Sequence, residues 1–385
     1  MGVSACFTIA MLDGYDTLLM SFLAPVISRE MGLAPGLFGA VFTATYTGAA
    51  CGAAVLGAAA DRYGRKPTLL LSLALVSVFT AMATWAHSLE ELIWYRALAG
   101  LGLGGAIPII SAIAAAGIPH ERRRAAVTRV FIGYPLGAIV GGLLTAALMQ
   151  RVGWRGLMLA TGAAALILMA LIQWVLKSFQ EPQRDLPAHR NPLTALFVAG
   201  SGFGTLILGV SAFLILGVSY FLVSWIPTVL TLSGARAAQA AAIAVLLNVG
   251  GLVGAWILSR AAQSARAVAL SLCVGAILIG TLGIALRGSP LLAASTVFSV
   301  GLLVIGAQIN IPALAAWLYP ARSSASGVGF AMACGRVGSI VGPWIGGLLL
   351  ARHLSWEWLF ITAAAPTLLA GLALFKLPAA DKQHP

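Results

Sequence analysis

Long apolar runs alternate along this chain with short polar segments. A helix needs about 20 apolar residues to cross a bilayer, and twelve runs are close to that length or longer. They cover approximately Ser4–Ile27, Gly36–Ala59, Pro67–Ala86, Leu92–Ala116, Ala125–Met149, Leu157–Leu176, Phe203–Val229, Ala237–Leu258, Val268–Leu286, Pro290–Leu318, Gly327–Ala351 and Trp358–Leu377. This pattern predicts an all-α membrane protein with twelve transmembrane helices.

A polar linker separates the first six runs from the last six. It extends from Lys177 to Pro192 and contains three prolines. We therefore expect an N-terminal six-helix bundle over residues 1–176, a cytoplasmic linker over 177–202 and a C-terminal six-helix bundle over 203–385.

The two halves resemble each other at an offset of about 202 residues. Gly52 in the second run matches Gly254 in the eighth, and Gly-Trp-Arg at 153–155 matches Ser-Trp-Glu at 355–357. Parallel repeats of six helices, related by a pseudo-two-fold axis, are typical of one large class of secondary transporters.

Basic residues are distributed unequally between the two sets of loops. The set on the side of both termini holds fifteen lysines and arginines, and the alternate set holds six. Because cytoplasmic loops carry the excess of basic residues in membrane proteins, both termini are predicted to be cytoplasmic.

The composition excludes several classes of protein. Of the 385 residues, 60% are hydrophobic and only 9% are charged, whereas soluble domains have about 25% charged residues. The net charge of +12 lies in short clusters between apolar runs, which argues against nucleic-acid binding. Since the four cysteines lie within apolar runs and no Walker motif or nucleophile–base pair occurs, we expect no metal, cofactor or enzymatic activity.

Two aspartates interrupt the first apolar run, in the sequence Asp13-Gly14-Tyr15-Asp16. Residues three apart lie on one face of a helix, so both carboxylates are expected near the middle of the bilayer, where ionisable groups indicate function. Two ionised carboxylates one turn apart repel each other, so one of them can carry a proton across the membrane. We interpret Asp13 and Asp16 as proton-coupling residues; the alternative is a purely structural pairing with arginines.

Two arginines also lie within apolar runs, Arg96 in the fourth and Arg336 in the eleventh. A guanidinium group can bind a carboxylate through two parallel hydrogen bonds. Each arginine is therefore a candidate to hold a substrate carboxylate. For Arg96 the alternatives are pairing with the aspartates and a snorkelling or structural role. For Arg336 the alternatives are a gating ion pair and a side chain that snorkels to the cytoplasmic membrane surface.

The loop after the second run reads G-A-A-A-D-R-Y-G-R-K-P and begins at Gly57. It resembles the G-x-x-x-D-R-x-G-R loop motif of the major facilitator superfamily. We expect Gly57 to allow close helix approach and Gly64 to permit a tight turn. Asp61 can cap a helix N-terminus, while Arg62 and Arg65 can bind carbonyl ends of helices or carboxylates. Such a latch would open and close during transport.

Together with this loop, the D-G-Y-D motif resembles the aromatic acid:H+ symporter family of that superfamily. The likeness covers nearly the whole chain, and its other segments are Arg96–Pro108, Tyr220–Pro227, Gly306–Gln308, Tyr319–Pro320 and Gly335–Pro343. Ala116 departs from the family, which usually has an acidic residue at that position in its fourth helix.

The resemblance implies the major facilitator fold and import of a small aromatic carboxylate with a proton by alternating access. It favours Tyr220 and Gln308 as substrate contacts, because helices 7 and 10 line the cavity in this superfamily. The wider set of candidate lining residues comprises Tyr46, Tyr134, Trp225, Phe330 and Asn310. The resemblance also implies a monomer in the lipid bilayer of the bacterial inner membrane.

Three other functions stay open at this point. One is symport of a non-aromatic organic acid, such as a sugar acid or a shikimate-like compound. Another is drug:H+ antiport, which the glycines at 133, 137, 141 and 142 favour, although Ala138 stands where that class has a diagnostic proline. The third is a non-transporting membrane receptor on the same fold.

Overall fold

The structure is a computed structural model that describes residues 2–115, 120–175, 202–260, 265–319, 324–352 and 354–377. Nearly all of these residues are helical, and none of them lies in a strand. The main helices are α1 (Gly2–Glu30), α2 (Phe38–Tyr63), α3 (Arg65–Met82), α4 (Leu89–Ala115), α5 (His120–Val175), α6 (Gly202–Leu232), α7 (Ala237–Arg260), α8 (Ala265–Ala285), α9 (Pro290–Val300), α10 (Gly306–Leu318), α11 (Ser324–Ala351) and α12 (Trp356–Leu374). The 3₁₀ helix Pro35–Leu37 precedes α2, and the 3₁₀ helix Ala83–Trp85 follows α3. A π-helical turn, Gly301–Ile305, joins α9 to α10.

The predicted all-α membrane class is confirmed. Within the described ranges, 11 helical segments are long and apolar enough to cross a membrane. In one of them α9, the π-helical turn and α10 are continuous, over Pro290–Ala316.

Helix α5 contains a break at Gly153, whose φ of 66° and ψ of 178° are not helical. Glycine adopts a positive φ without the steric cost that a Cβ imposes. The apolar segment of α5, Ala126–Val175, has 50 residues. At about 1.5 Å per residue it would be roughly 75 Å long, which is more than twice the thickness of the hydrocarbon core. The fifth and sixth predicted runs correspond to the two arms on either side of this break.

The contacts between residues divide the chain into two compact units. The first unit comprises 1–185 and 235–245, and the second comprises 186–234 and 246–385. The predicted linker occupies 177–202, and all of it except residue 202 lies outside the described residues. The predicted bundle boundaries therefore stay a prediction.

In the first unit, α1 packs along α5, α2 packs along α4, and α3 packs against both α4 and α5. Glycines allow this close packing. A Cβ at Gly52 of α2 would overlap the carbonyl oxygen of Leu101 in α4. In the second unit, a Cβ at Gly254 of α7 would overlap the carbonyl oxygen of Leu302 in the same way. The two glycines that match in the sequence repeat thus make the same kind of helix contact.

In the second unit, α6 packs along α11 and α8 packs along α12. Polar contacts fix α6 at two levels. The buried indole of Trp225 donates from Nε1 to the carbonyl oxygen of Pro343 in α11 at 3.1 Å. The hydroxyl of Tyr319, which follows α10, donates to Oγ1 of Thr205 at 2.9 Å.

Candidate functional site

A fully buried ion pair joins α1 to α4 in the first unit. Nη2 of Arg96 lies 3.0 Å from Oδ2 of Asp16, and Nη1 donates to Oδ1 at 3.3 Å. Nη2 also donates to the backbone carbonyl oxygen of Asp16 at 3.3 Å. Neither side chain has any exposed surface. The guanidinium group thus binds the carboxylate through both terminal nitrogens, which is a strong, charge-assisted geometry.

Thr80 of α3 completes this site. Its hydroxyl donates to Oδ1 of Asp16 at 3.0 Å and accepts a hydrogen bond from Nη1 of Arg96 at 3.4 Å. Thr80 is also fully buried. We call Asp16, Arg96 and Thr80 the Asp16 cluster; α1, α3 and α4 contribute one side chain each.

The position of this cluster explains its composition. Asp16 lies halfway along the 29 residues of α1, so its charge is far from water on both sides of a membrane. Burying a charge costs several kcal/mol, and a close counterion offsets much of that cost. Of the partners predicted for Arg96, the structure shows an aspartate. The negative charge of Asp16 is therefore balanced by the positive charge of Arg96. The sequence predicts repulsion between the two aspartates, and the structure adds this attraction to it.

Asp13 lies one turn before Asp16 and is buried, with 5% of its surface exposed. Between them, Gly14 is required by packing, because a Cβ there would overlap the carbonyl oxygen of Tyr134 in α5. The D-G-Y-D motif thus combines two carboxylates with a site of backbone contact between helices.

The glycine row of α5 packs against the same helix. Because these glycines have no side chain, α1 can approach α5 closely. Gly133 faces the backbone of Phe7, Gly137 faces the backbone of Met11, and Gly141 faces the ring of Tyr15. In this chain the row that resembles the antiporter motif therefore serves the packing of α1.

The loop motif lies at the junction of α2 and α3. Gly64 is the single residue between these helices, with φ of 103° and ψ of 149°, and its N–H donates to the carbonyl oxygen of Ala60 at 3.2 Å. Nη1 of Arg65 donates at 3.3 Å to the carbonyl oxygen of Ala112, in the last turn of α4, where carbonyls have no partner within the helix. Gly64 and Arg65 thus have the geometry that the motif predicts.

One expectation about this motif is wrong. A Cβ at Gly57 would meet only Cγ of Pro108, at 3.9 Å, which is an ordinary van der Waals contact. Gly57 therefore does not make a close helix approach in this conformation. Asp61 and Arg62 are exposed, and the guanidinium group of Arg62 lies 5.3 Å from the ring centre of Tyr63.

The other candidate residues occupy several helices. Tyr46 on α2 is buried, whereas Tyr220 on α6, Gln308 on α10 and Arg336 on α11 are partly buried. Asn310 on α10 uses its amide for packing: Nδ2 donates to the carbonyl oxygens of Gly306 at 2.9 Å and of Ala255 in α7 at 3.3 Å. Ala116 lies outside the described residues.

Sequence reasoning missed two sets of residues. It missed Thr80, because a threonine in an apolar helix most often bonds a carbonyl of its own helix. It also missed the cluster at the end of α1, where Glu30 accepts a hydrogen bond from Nε1 of Trp154 at 2.6 Å and forms an ion pair with Arg155. In the sequence, the only signal for this second set was the repeated tryptophan followed by a charged residue, Trp154-Arg155 and Trp356-Glu357.

Comparison with known proteins places this chain in a family. The chain matches the family model described as Major Facilitator Superfamily over residues 5–336 and 308–385. It is 33% identical over 403 residues to the gallate transporter of Pseudomonas putida, a match that covers 96% of this chain and 89% of that one. It is 31% identical over 408 residues to the 4-hydroxybenzoate transporter of Pseudomonas aeruginosa, covering 97% of this chain and 91% of that one.

A likeness to solved structures supports the fold independently. The D-xylose-proton symporter is similar with a TM-score of 0.79 and 15% identity, covering 99% of this chain and 98% of that one. The curated relatives and the shared fold are those of transporters, not enzymes. The chain is therefore a multi-pass membrane protein that belongs to the major facilitator superfamily and, within it, to the aromatic acid:H+ symporter family.

Proposed function

We propose that this protein imports a hydroxylated benzoate-like acid together with a proton, by alternating access. The two relatives described above are named for gallate and for 4-hydroxybenzoate, which are both benzene rings with one carboxylate and hydroxyl substituents. A chain that resembles both over nearly its full length is best matched to that chemical class.

The observation that carries the proposal is the buried pair of Asp16 and Arg96. When Asp16 takes up a proton, it no longer neutralises the guanidinium group. An uncompensated buried charge costs about 3–5 kcal/mol. A substrate carboxylate that binds Arg96 removes that cost, so protonation of Asp16 and binding of the acid favour each other. Such linkage is reciprocal by thermodynamic necessity, and it is the property that a symporter needs.

Access to the pair requires a conformational change. Both side chains are fully buried in this conformation, so neither a proton nor a carboxylate reaches them directly. Movement of α1, α3 or α4 during alternating access opens the pair to one side of the membrane. Asp13, one turn away and slightly exposed, delivers the proton to Asp16.

The remaining candidates complete the proposal. Arg336, Tyr220, Gln308 and Tyr46 contact the substrate, while Asn310 holds α10 against α7 through its amide. The loop from Gly57 to Arg65 acts as the gating latch. The chain works as a monomer in the inner membrane and crosses it twelve times, with both termini in the cytoplasm. In this topology Gly153 forms the turn between the fifth and sixth crossings.

Uptake into proteoliposomes under an imposed pH gradient tests the proposal. The substrate panel comprises gallate, 4-hydroxybenzoate, benzoate, shikimate and a sugar acid. We expect wild-type protein to accumulate the hydroxybenzoates, and Asp16→Asn and Arg96→Gln to abolish accumulation. Glu30→Gln is the matched control, because Glu30 is a carboxylate on the same helix and is partly exposed at its end; it is expected to keep full activity.

Each rival function predicts a different outcome. Accumulation by Asp16→Asn at the wild-type level would refute the coupling role of the pair. Preferential uptake of shikimate or the sugar acid indicates a symporter of non-aromatic acids. Export of a lipophilic cation driven by inward proton flow indicates a drug antiporter. Absence of uptake and of proton movement with every compound indicates a receptor.

A further inference from the structure

The hydroxyl of Thr80 is directed differently from those of Thr45 and Thr161. Thr45 donates to the carbonyl oxygen of Val41 at 2.9 Å, and Thr161 donates to that of Leu157 at 2.8 Å. These bonds return to the preceding turn of the same helix, as is usual for threonine. Thr80 instead donates across helices to Oδ1 of Asp16 at 3.0 Å. Its hydroxyl therefore serves the ion pair and not its own helix.

A hydroxyl group suits both protonation states of its neighbour. It has one donor hydrogen that rotates freely and two acceptor lone pairs. Next to an ionised Asp16 it donates to the carboxylate, as observed. Next to a protonated Asp16 it can rotate and accept the hydrogen of the carboxylic acid. A valine of the same shape can do neither.

Thr80 also contacts the cation. Nη1 of Arg96 lies 3.3 Å from Oδ1 of Asp16 and 3.4 Å from Oγ1 of Thr80. When Asp16 becomes neutral, the hydroxyl oxygen remains as an acceptor for that nitrogen. Nε of Arg96 has no hydrogen-bond partner among the described residues, so the guanidinium group has few acceptors to replace the lost one.

We propose that Thr80 is a positioning residue that holds Arg96 in place for the substrate carboxylate while Asp16 is neutral. This inference rests on the proposed symport function. It assigns a role to α3, which contributes neither an acid nor a base to the site.

The test compares Thr80→Val, Thr80→Ser and Thr45→Val, measured as the KM and the maximal rate of 4-hydroxybenzoate uptake. In Thr80→Val, the KM is expected to rise by about 2–10-fold, which is the size of one hydrogen bond, while the maximal rate changes less. Thr80→Ser keeps the hydroxyl and is expected to keep the wild-type KM. Thr45→Val removes the hydroxyl of a residue that is 3% exposed and bonds within its own helix, and is expected to leave the KM unchanged.

Two results would overturn this inference: a KM in Thr80→Val that matches that of Thr45→Val, or a KM in Thr80→Ser that rises as far as that of Thr80→Val. If Thr80→Val does not insert, Thr80→Ala carries the same test, because it also lacks the hydroxyl. The proposed function is judged separately by Asp16→Asn. Coupled uptake by Asp16→Asn refutes the symport mechanism. Loss of coupling in Asp16→Asn together with a wild-type KM in Thr80→Val refutes only the role of Thr80.

Discussion

Met11 of α1 and Gly137 of α5 are in direct backbone contact. The space that a Cβ on residue 137 would occupy is filled by the carbonyl oxygen of Met11. Since Asp13 follows Met11 by only two residues, this contact fixes the part of α1 that carries both aspartates. The glycines of α5 therefore have a structural reason to be present that is independent of any antiport activity.

We expect Gly137→Ala to destabilise the protein by about 2–3 kcal/mol or more, because overpacking against backbone forces the helices apart. Thermal unfolding of the purified protein in detergent measures this effect. Gly57→Ala is the control, since its Cβ has room beside Pro108; it is expected to unfold at the wild-type temperature or above. Equal loss of stability in the two variants contradicts the packing assignment.

The Asp16–Arg96 pair gives a prediction that separates folding from transport. Asp16→Asn or Arg96→Gln alone leaves an unbalanced buried charge, so each is expected to lower the free energy of unfolding by about 3–5 kcal/mol. The double variant removes both charges and is expected to lose less than the sum of the two single variants. Transport is expected to be absent in all three.

Thermal unfolding of the four proteins, wild type included, forms a double-mutant cycle for this pair. A coupling free energy near zero would contradict the observed ion pair. If the double variant is more stable than the single variants but still does not transport, the charges of Asp16 and Arg96 are needed for transport and not only for folding. Restored transport in the double variant contradicts the proposed linkage between proton and carboxylate.

Gly64 gives a prediction about the loop between α2 and α3. Its φ of 103° is unfavourable for any residue with a Cβ. Gly64→Ala is expected to cost about 1–2 kcal/mol and to displace Arg65 from the carbonyl oxygen of Ala112. Gly329→Ala is the matched control, because Gly329 is helical and a Cβ added there would have no neighbouring atom within 4 Å. Unfolding temperatures that move equally in both variants contradict the strain argument.

The sequence predicted the helices well because a membrane-spanning segment is specified by length and apolarity alone. It also offered the aspartates as partners for Arg96, since a charge in an apolar run must have a partner, and the structure shows Arg96 paired with Asp16. It did not predict Thr80, because an uncharged hydroxyl in a helix satisfies itself as easily as it satisfies a neighbour. It predicted a close approach at Gly57 that is absent, because spacing does not show what lies opposite a glycine.

The matched segments 153–155 and 355–357 show a further limit. In the first unit Arg155 pairs with Glu30, and in the second Glu357 pairs with Arg287 at 2.6 Å. The sign of the charge is reversed between the repeats, while an ion pair is kept at the matched position. The repeat was visible in the sequence, but the partners Glu30 and Arg287 come from unmatched parts of the chain and could be identified only from the structure.

The two amides of α10 give a prediction that separates packing from binding. Nδ2 of Asn310 donates to two backbone carbonyls, one of them in α7. Gln308, two residues earlier, follows the π-helical turn Gly301–Ile305. A π turn contains one extra residue, so it rotates the following side chains by about 100° relative to a continuous α-helix. The turn therefore sets the direction of Gln308 without tying its amide to α7.

Asn310→Leu is expected to lower the free energy of unfolding by about 1–2 kcal/mol, because two hydrogen bonds are lost. Gln308→Leu is expected to unfold like wild type and to raise the KM for 4-hydroxybenzoate, since its amide is proposed to contact the substrate. Thermal unfolding and uptake kinetics on both proteins check this division. A stable Asn310→Leu with a raised KM would place Asn310 at the substrate, and an unstable Gln308→Leu would place Gln308 in the packing of α10.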